Sequence, residues 1–305
     1  MNHDRSITRA LRRSFLCLES RETPTKLREA MLHAVFPGGS RVRPNLLFSV
    51  IQAHQEPGEM SRPTPLASRA AAAIELLHCA SLVHDDLACF DDAAVRRGQP
   101  SVAAAFGQPL AVLAGDALIV LAFKNLAAAP PTPLLADVTV RIARGVGAVG
   151  GMIAGQAWES ETDIDLRAYH RAKTAALFEA CVTCGAAIAG GEPAAWEHIG
   201  RLLGEAYQVA DDLYDACGGV DGKPVGQDAV HGRPNAVTST GIHSALTHFQ
   251  SLVSRMHRTI PDVPGRLEFS HGLLTLCDRL VNTPLTRVAD PRPRPALANQ
   301  QPLCN

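Results

Sequence analysis

Two clusters of aspartates lie within apolar, helix-forming stretches of this sequence. The members of both clusters are Asp85, Asp86, Asp91, Asp92, Asp211, Asp212 and Asp215. Burying so many like charges is costly unless a cation neutralises them. Carboxylate oxygens suit Mg²⁺, which usually takes one or two protein carboxylates and fills its other positions with water and substrate phosphates. The clusters therefore predict a site in which two or three magnesium ions hold a diphosphate.

The two clusters differ in how well they fit a helix. Asp211 and Asp215 are four residues apart, so a helix places them on one face, where they can converge on the same ion. Asp85 and Asp91 are six residues apart, which corresponds to about 240° around a straight helix. Either the helix ends or bulges near 87–90, or Asp85 acts together with Asp92. A metal that bridges Asp85 and Asp91 requires a local kink.

Basic residues follow each cluster. Arg96 and Arg97 come shortly after the first, and Lys223 comes eight residues after the second. Guanidinium groups match the oxygens of phosphates in paired geometry. The segment 37–44 reads Pro-Gly-Gly-Ser-Arg-Val-Arg-Pro and forms a second basic turn, in which glycines let backbone N–H groups approach an anion. These cations predict a clamp for phosphate groups.

Composition and periodicity indicate that helices position these residues. Of the 305 residues, 46% are hydrophobic and 19% charged, with few aromatics and abundant alanine and leucine, which favours helix over strand. Apolar positions recur at helical spacing through 24–36, 44–54, 66–90, 107–127, 133–158, 165–190, 194–217, 240–257 and 265–284. We therefore expect one all-α domain over 1–289. The segment 290–305 is rich in proline and is expected to lack fixed structure.

Charge and hydropathy exclude several other classes of protein. A net charge of −1 argues against a general nucleic-acid binder. We see no signal peptide in 1–13 and no uninterrupted run of about 18 apolar residues, so we expect a cytoplasmic protein without a membrane span. The eight cysteines are scattered, as is typical of a reduced compartment. The pair Cys181 and Cys184 lies in a helical pattern without a second pair, so we interpret it as part of the core.

The motifs, taken together, resemble those of the trans-isoprenyl diphosphate synthases. The first aspartate-rich motif and its Arg-Arg-Gly extend from Asp85 to Gly98, and the second from Asp211 to Asp215. The stretch Gly222 to Asp228 matches the Gly-Lys-Pro-x-Gly-x-Asp that follows in the family. Further matches are Gln156, Lys173, Thr174 and Gln208. The resemblance covers about 38–233 and is greatest to the carotenoid-pathway geranylgeranyl diphosphate synthases of photosynthetic bacteria.

This resemblance implies an isoprenoid synthase fold, a helical bundle around a central cavity, and three Mg²⁺ ions in each active site. The metal ligands would be Asp85, Asp86, Asp91, Asp211, Asp212 and Asp215. The groups that hold the allylic diphosphate would be Arg96, Lys173, Thr174, Gln208 and Lys223. The groups that bind isopentenyl diphosphate would be Arg43, His78 and Arg97. Catalysis would depend most on Asp85, Asp86, Asp91, Arg96, Lys173, Asp211, Asp212 and Lys223.

The reaction implied is ionisation of an allylic diphosphate, condensation with isopentenyl diphosphate and elimination of a proton. The allylic substrate would be farnesyl diphosphate, with geranyl and dimethylallyl diphosphate as alternatives. Small side chains at Ala80 and Ser81, just before Asp85, would let the product grow to twenty carbons, and Leu77 would form a deeper floor. In this family a bulky aromatic at this place stops growth at fifteen carbons or fewer. A homodimer is expected by the same resemblance.

The sequence also departs from the family pattern. Ser40 stands where a lysine is usual, so one cation for isopentenyl diphosphate is missing and Arg41 is a candidate replacement. Arg233 stands for the lysine that usually follows the 222–228 stretch, where it is a further candidate for substrate binding. Alternative functions are a farnesyl or longer-chain synthase, a class I terpene cyclase and a non-catalytic partner subunit. The intact second motif at Asp211 favours the transferase.

Overall fold

The computed structural model describes residues 3–36, 38–59, 63–163, 165–216, 237 and 241–289, with the backbone alone at 166, 167 and 282–289. The longer helices of these residues are α1 Asp4–Phe15, α2 Thr25–Val35, α3 Val42–Ala53, α4 Pro65–Asp85, α6 Gln108–Ala127, α7 Leu134–Val146, α10 Ala176–Ile188, α11 Ala194–Ala216, α12 Ile242–Thr259 and α13 Arg266–Ala289. Shorter helices are α5 Val102–Phe106, α8 Met152–Ala157 and α9 Leu166–His170. The strands in this part of the chain are β1 Val95–Arg96 and β2 Gln99–Pro100, a two-stranded antiparallel hairpin.

Helix α4 is the central helix of the bundle. Its start is fixed by Thr64, whose hydroxyl accepts a hydrogen bond from the N–H of Ala67, and by Pro65 in the first turn. Its apolar residues extend around most of its circumference and are buried, as expected of a helix enclosed by others. Helices α3, α6, α10 and the N-terminal α1 pack against it. The first aspartate motif therefore stands at the end of a helix that other helices enclose.

The core combines many alanines with a few large side chains. Among the described residues, Leu47, Ile74, Leu118, Phe178 and Trp196 are almost completely buried. Burying one such side chain stabilises the fold by about 1.5–3 kcal/mol. The alanines of α4 and α6 let these two helices pack closely over a long contact. This packing fixes the end of α4.

The predicted all-α fold is confirmed, and two helix bounds are corrected. The stretch 66–90 ends as a helix at Asp85. The stretch 133–158 is divided into α7 and α8, because Gly147 to Gly151 interrupt it and Gly150 has a φ of 66°. Between α9 and α10, Arg171–Ala175 form one turn of π-helix, a feature often found at functional sites. The tail 290–305 lies outside the described residues.

Within the described ranges, two helices are long and apolar enough to cross a membrane, judged by length and composition alone. They are α4, whose most apolar window is 72% buried, and α6, whose window is 44% buried. Core helices of bundles have the same composition, so this is weak evidence for a span. The exposed side of α6 carries Val112, Leu113 and Val120, which are 42%, 52% and 67% exposed.

Candidate active site

The first aspartate motif is a helix end followed by a reversal of the chain. The backbone N–H of Asp91 donates to the carbonyl of Asp85 over 2.9 Å, and that of Asp92 donates to the carbonyl of Leu87 over 3.1 Å. Asp92 has a φ of 47°, which turns the chain back towards α4. The helix therefore ends before this turn, which is the kind of local break that a site shared by Asp85 and Asp91 requires. The reversal brings the backbone of Asp91 against that of Asp85.

Asp86 and Arg96 form a buried ion pair behind this turn. Asp86 is 2% exposed, and the Nε of Arg96 donates to both of its oxygens, over 2.9 and 3.2 Å. A second guanidinium nitrogen, Nη2, also donates to Asp86, so the contact is bidentate. Arg96 belongs to the hairpin that follows the motif. The pair ties this hairpin to the end of α4.

Asp85 faces the groups that surround the turn. Burial raises the pKa of its carboxyl to about 6; Lys173 and Arg96 lower it, whereas Asp91 and Glu159 raise it. Two carboxylates in apolar surroundings resist joint ionisation unless a cation compensates them. The surroundings of Asp85 therefore favour a bound cation, which is the chemistry predicted from the sequence.

The π turn carries Lys173 into a cluster around Glu159. The ammonium group of Lys173 forms a salt bridge with Glu159. The same carboxylate accepts hydrogen bonds from the hydroxyl of Tyr169, over 2.8 Å, and from the amide of Gln156, over 3.2 Å. Gly155 lies directly against the backbone of Lys173, where an added Cβ would overlap it. Sequence analysis missed Glu159; its place three residues after Gln156, a helical spacing, was the available signal.

The second aspartate motif lies on α11 and contacts the π turn. The hydroxyl of Thr174 donates to Oε1 of Gln208 over 2.7 Å, and Nε2 of Gln208 donates to Asp212 over 2.9 Å. Asp212 is 1% exposed, whereas Asp211 is exposed. The regular helix predicted for Asp211 and Asp215 is confirmed. Thr174 and Gln208, predicted to act together, are in direct contact.

Arg43 and His78 also meet. Nη1 of Arg43 lies 3.2 Å from Nε2 of His78, and burial lowers the pKa of His78 well below its usual value, so the neutral ring accepts this hydrogen bond. The nearby guanidinium groups of Arg43, Arg97 and Arg96 lower that pKa further. Nε of Arg43 is buried and has no hydrogen-bond partner among the described residues. A buried donor without an acceptor suits a site that receives an anion.

Arg97 contacts the turn that contains Gly38 and Gly39, and its charge also acts on His78. The guanidinium of Arg97 lies on Gly39, where an added Cβ would overlap it. Arg41, the candidate replacement for the missing lysine at position 40, is instead 8% exposed and donates to the hydroxyl of Thr8 on α1. Its guanidinium is therefore already engaged by α1.

Leu77 and Ala80, two of the proposed chain-length residues, are buried on α4, at 2% and 1% exposure. Ser81 is half-buried, and its hydroxyl donates to the carbonyl of His78 over 2.8 Å. Two predicted substrate residues, Lys223 and Arg233, lie outside the described residues. Nothing further is placed for them.

The residues present fit Mg²⁺ shared with a diphosphate. In the described part of the chain, no three His, Cys, Asp or Glu side chains are close enough to hold an ion by themselves. Mg²⁺ does not require such a cage, because it retains waters and uses phosphate oxygens as ligands. The raised pKa of Asp85 and the unpartnered Nε of Arg43 are the two features that a cation and an anion would satisfy.

Comparison with known proteins agrees with the resemblance that the sequence motifs show. The sequence profile described as polyprenyl synthetase matches residues 24–262. A geranylgeranyl diphosphate synthase of Cereibacter sphaeroides is 47% identical over 265 residues, which cover 85% of this chain and 90% of that enzyme. That of Rhodobacter capsulatus is 42% identical over 290 residues, covering 93% and 98%. A Helicobacter pylori geranyltransferase, solved with magnesium and isoprenyl diphosphate, is 27% identical with a TM-score of 0.74, covering 90% of this chain and 96% of that one.

Proposed function

Since this chain belongs to the polyprenyl synthetase family and is a prenyltransferase, we propose that it condenses isopentenyl diphosphate with farnesyl diphosphate to give geranylgeranyl diphosphate. The single observation that supports the site most directly is the chain reversal that brings Asp91 against Asp85. The positive charges of Lys173 and Arg96 act on the carboxyl of Asp85 in this turn. This arrangement supports a site that combines carboxylates for metal ions with cations for a diphosphate. Geranyl and dimethylallyl diphosphate are the alternative allylic substrates.

Each group of residues has a distinct role in the proposed mechanism. Asp85, Asp91 and Asp211 would ligate Mg²⁺ through their carboxylate oxygens, and the family resemblance implies about three ions in each active site. Bound there, Mg²⁺ would supply Lewis-acid stabilisation of the departing diphosphate. Lys173 holds the allylic diphosphate by charge, and Arg43 and Arg97 hold isopentenyl diphosphate. The apolar walls of the bundle exclude water, which would otherwise capture the allylic cation. The released diphosphate then accepts the proton that is eliminated.

The partners of the remaining aspartates indicate their roles, which we propose for Asp86, Asp212 and Asp215. Asp86 is bound by Arg96 and Asp212 by Gln208, so both would orient neighbouring ligands even where they do not reach the metal. Asp215 stands one turn beyond Asp211 and would ligate the same ion. Lys223 and Arg233 are proposed to complete the two diphosphate sites from the sequence motif alone.

One assay tests the proposed function. The purified protein is incubated with Mg²⁺, isopentenyl diphosphate and each allylic diphosphate in turn, and the products are separated by chromatography. A linear twenty-carbon diphosphate is the expected product. A hydrocarbon would indicate a cyclase, a fifteen-carbon or longer diphosphate a different chain length, and no product a non-catalytic subunit.

We further propose that the protein acts as a cytoplasmic homodimer. The support is the exposed apolar side of α6, defined by Val112, Leu113 and Val120. Leu113 and Val120 are seven residues apart and so share one face of the helix, and exposed apolar residues that share a face often mark an interaction surface. A second copy is the partner that the family resemblance leads us to expect.

A further inference from the structure

Tyr207 is a site residue to which neither the motifs nor the proposed mechanism gives a role. It lies on α11, immediately before Gln208. Its ring centroid is 5.2 Å from that of Phe178, and the guanidinium carbon of Arg43 lies 4.7 Å from the Phe178 ring and 5.6 Å from the Tyr207 ring. A guanidinium against two aromatic rings is held by cation–π attraction. The position of Tyr207 is therefore coupled to that of Arg43.

Tyr207 lies beside groups of both proposed diphosphate sites: Arg43 contacts its ring, and Asp211 stands one helical turn further along α11. The charged groups that act on Tyr207 are, in order of effect, Arg43, Asp211, Arg97 and Glu75. Arg43 and Arg97 belong to the isopentenyl side, and Asp211 belongs to the metal side. Burial raises the pKa of the phenol, so it keeps its proton and remains a hydrogen-bond donor.

This hydroxyl has no hydrogen-bond partner among the described residues, although the side chain is largely enclosed. The oxygen is not among the fully buried, unpartnered polar atoms of that part of the chain, so it keeps some contact with solvent. Tyr169, by contrast, donates its hydroxyl to Glu159. The two tyrosines thus differ: Tyr169 supports other side chains, and Tyr207 presents a donor.

The proposed isopentenyl site also has one cation fewer than the family pattern leads us to expect. Ser40 stands at the position where the sequence pattern leads us to expect a lysine, and Arg41 is bound to Thr8. We propose that the Tyr207 hydroxyl is a further substrate-binding group, which donates a hydrogen bond to the diphosphate of isopentenyl diphosphate beside Arg43 and Arg97. This inference rests on the proposed function and adds a specific donor to its isopentenyl site.

The test is Tyr207→Phe, which removes the hydroxyl and keeps the ring that contacts Arg43. Hydrogen bonds to charged groups are strong enough that we expect KM for isopentenyl diphosphate to rise about tenfold. KM for farnesyl diphosphate should stay within about twofold, and the melting temperature should not change, because the hydroxyl bonds to no described residue. Binding of radiolabelled isopentenyl diphosphate, measured by equilibrium dialysis, should weaken by a similar factor.

Tyr169→Phe is the matched control, since it removes a hydroxyl that supports Glu159 and Lys173. It should raise KM for farnesyl diphosphate and leave that for isopentenyl diphosphate unchanged. The inference is overturned by an unchanged isopentenyl affinity in Tyr207→Phe, or by equal rises in both KM values together with a lower melting temperature. Wild-type protein that binds isopentenyl diphosphate but makes no prenyl product would overturn the proposed function alone.

Discussion

Among the described residues, two cations of the site are paired with carboxylates. Arg96 is bound to Asp86 and Lys173 to Glu159, both with little exposure to solvent. Pairing of this kind lowers the cost of holding charges in an apolar bundle. It also means that each charged side chain has a structural role in addition to its proposed role in catalysis. A substitution must therefore be interpreted through its effect on the free energy of unfolding as well as on the rate.

Arg96→Met is expected to destabilise the fold. The change leaves Asp86, which is 2% exposed, without its bidentate partner. Breaking a buried pair by removing one member typically costs about 3–5 kcal/mol, so we expect a loss near 3 kcal/mol in urea denaturation without substrate. Arg141→Met is the control, because its pairing with Asp137 is a surface contact one helical turn apart. That variant should lose at most about 0.5 kcal/mol. Equal stabilities of the two variants would contradict a structural role for the Asp86–Arg96 pair.

At the level of helices, the site depends on close approach of backbones around the π turn. Gly155 of α8 and Gly204 of α11 both lie against this turn, at Lys173 and Ala175 respectively. A side chain at either position would separate the helices that carry Lys173 and the second aspartate motif. The small residues at these positions are therefore part of what places Lys173.

Gly155→Ala should displace the π turn. The added methyl group overlaps the backbone of Lys173, and overpacking of this kind costs about 1–3 kcal/mol. We expect a lower free energy of unfolding and a several-fold rise in KM for farnesyl diphosphate, because Lys173 moves with its backbone. Gly272→Ala is the control: it lies within α13, and no atom from other described parts of the chain lies within 4 Å of its added Cβ. Because alanine favours helix, Gly272→Ala should be neutral or stabilising by up to about 1 kcal/mol. A stable, fully active Gly155→Ala protein would show that the turn tolerates movement.

Ala80→Phe tests whether α4 forms a wall of the product tunnel. If Ala80 borders the tunnel, the new ring occupies that space, the product shortens to fifteen carbons, and stability changes little. If Ala80 packs only against protein, the ring overpacks the core and costs about 1–3 kcal/mol without a change in product. We expect the first result, measured by product chromatography together with thermal denaturation. Val149→Phe, at a residue 92% exposed, is the control and should change neither quantity.

The sequence predicted those parts of the site that depend on helical spacing. Asp211 and Asp215 lie on a regular helix as expected, because a spacing of four residues admits one geometry. The spacing of six between Asp85 and Asp91 left two geometries open, since the choice depends on where α4 ends. The contact between Glu159 and Lys173 was not predicted, because Lys173 lies on a π turn. A regular helical pattern does not reveal the register of such a turn. The direction of Arg41 depends on α1, a contact between distant parts of the chain.

For the molecule as a whole, α6 connects the site with the proposed dimer surface. One side of α6 packs along α4, and its Gly115 lies directly against the ring of His84, which precedes Asp85. The next residue, Asp116, lies 3.6 Å from His84 and is 60% exposed. The solvent-facing side of α6 carries the exposed apolar residues. A second copy that covers α6 would therefore enclose the contact that holds the end of α4.

Val120→Glu is expected to separate the proposed dimer. Val120 is 67% exposed on α6, a helix of 20 residues and thus about 30 Å long. A twofold axis would bring two copies of the substitution into one interface, where an unpaired carboxylate costs several kcal/mol. The dimer dissociation constant should rise about 100-fold or more, as measured by analytical ultracentrifugation. Leu267→Glu, at a residue 79% exposed on α13, should leave the dissociation constant unchanged.

Because α6 also supports the end of α4, the specific activity of Val120→Glu should fall as the protein is diluted below the new dissociation constant. Two results would contradict this dimer surface: a wild-type protein that sediments as a monomer, or a Val120→Glu protein that remains dimeric. Either would show that the exposed side of α6 is not a contact between copies.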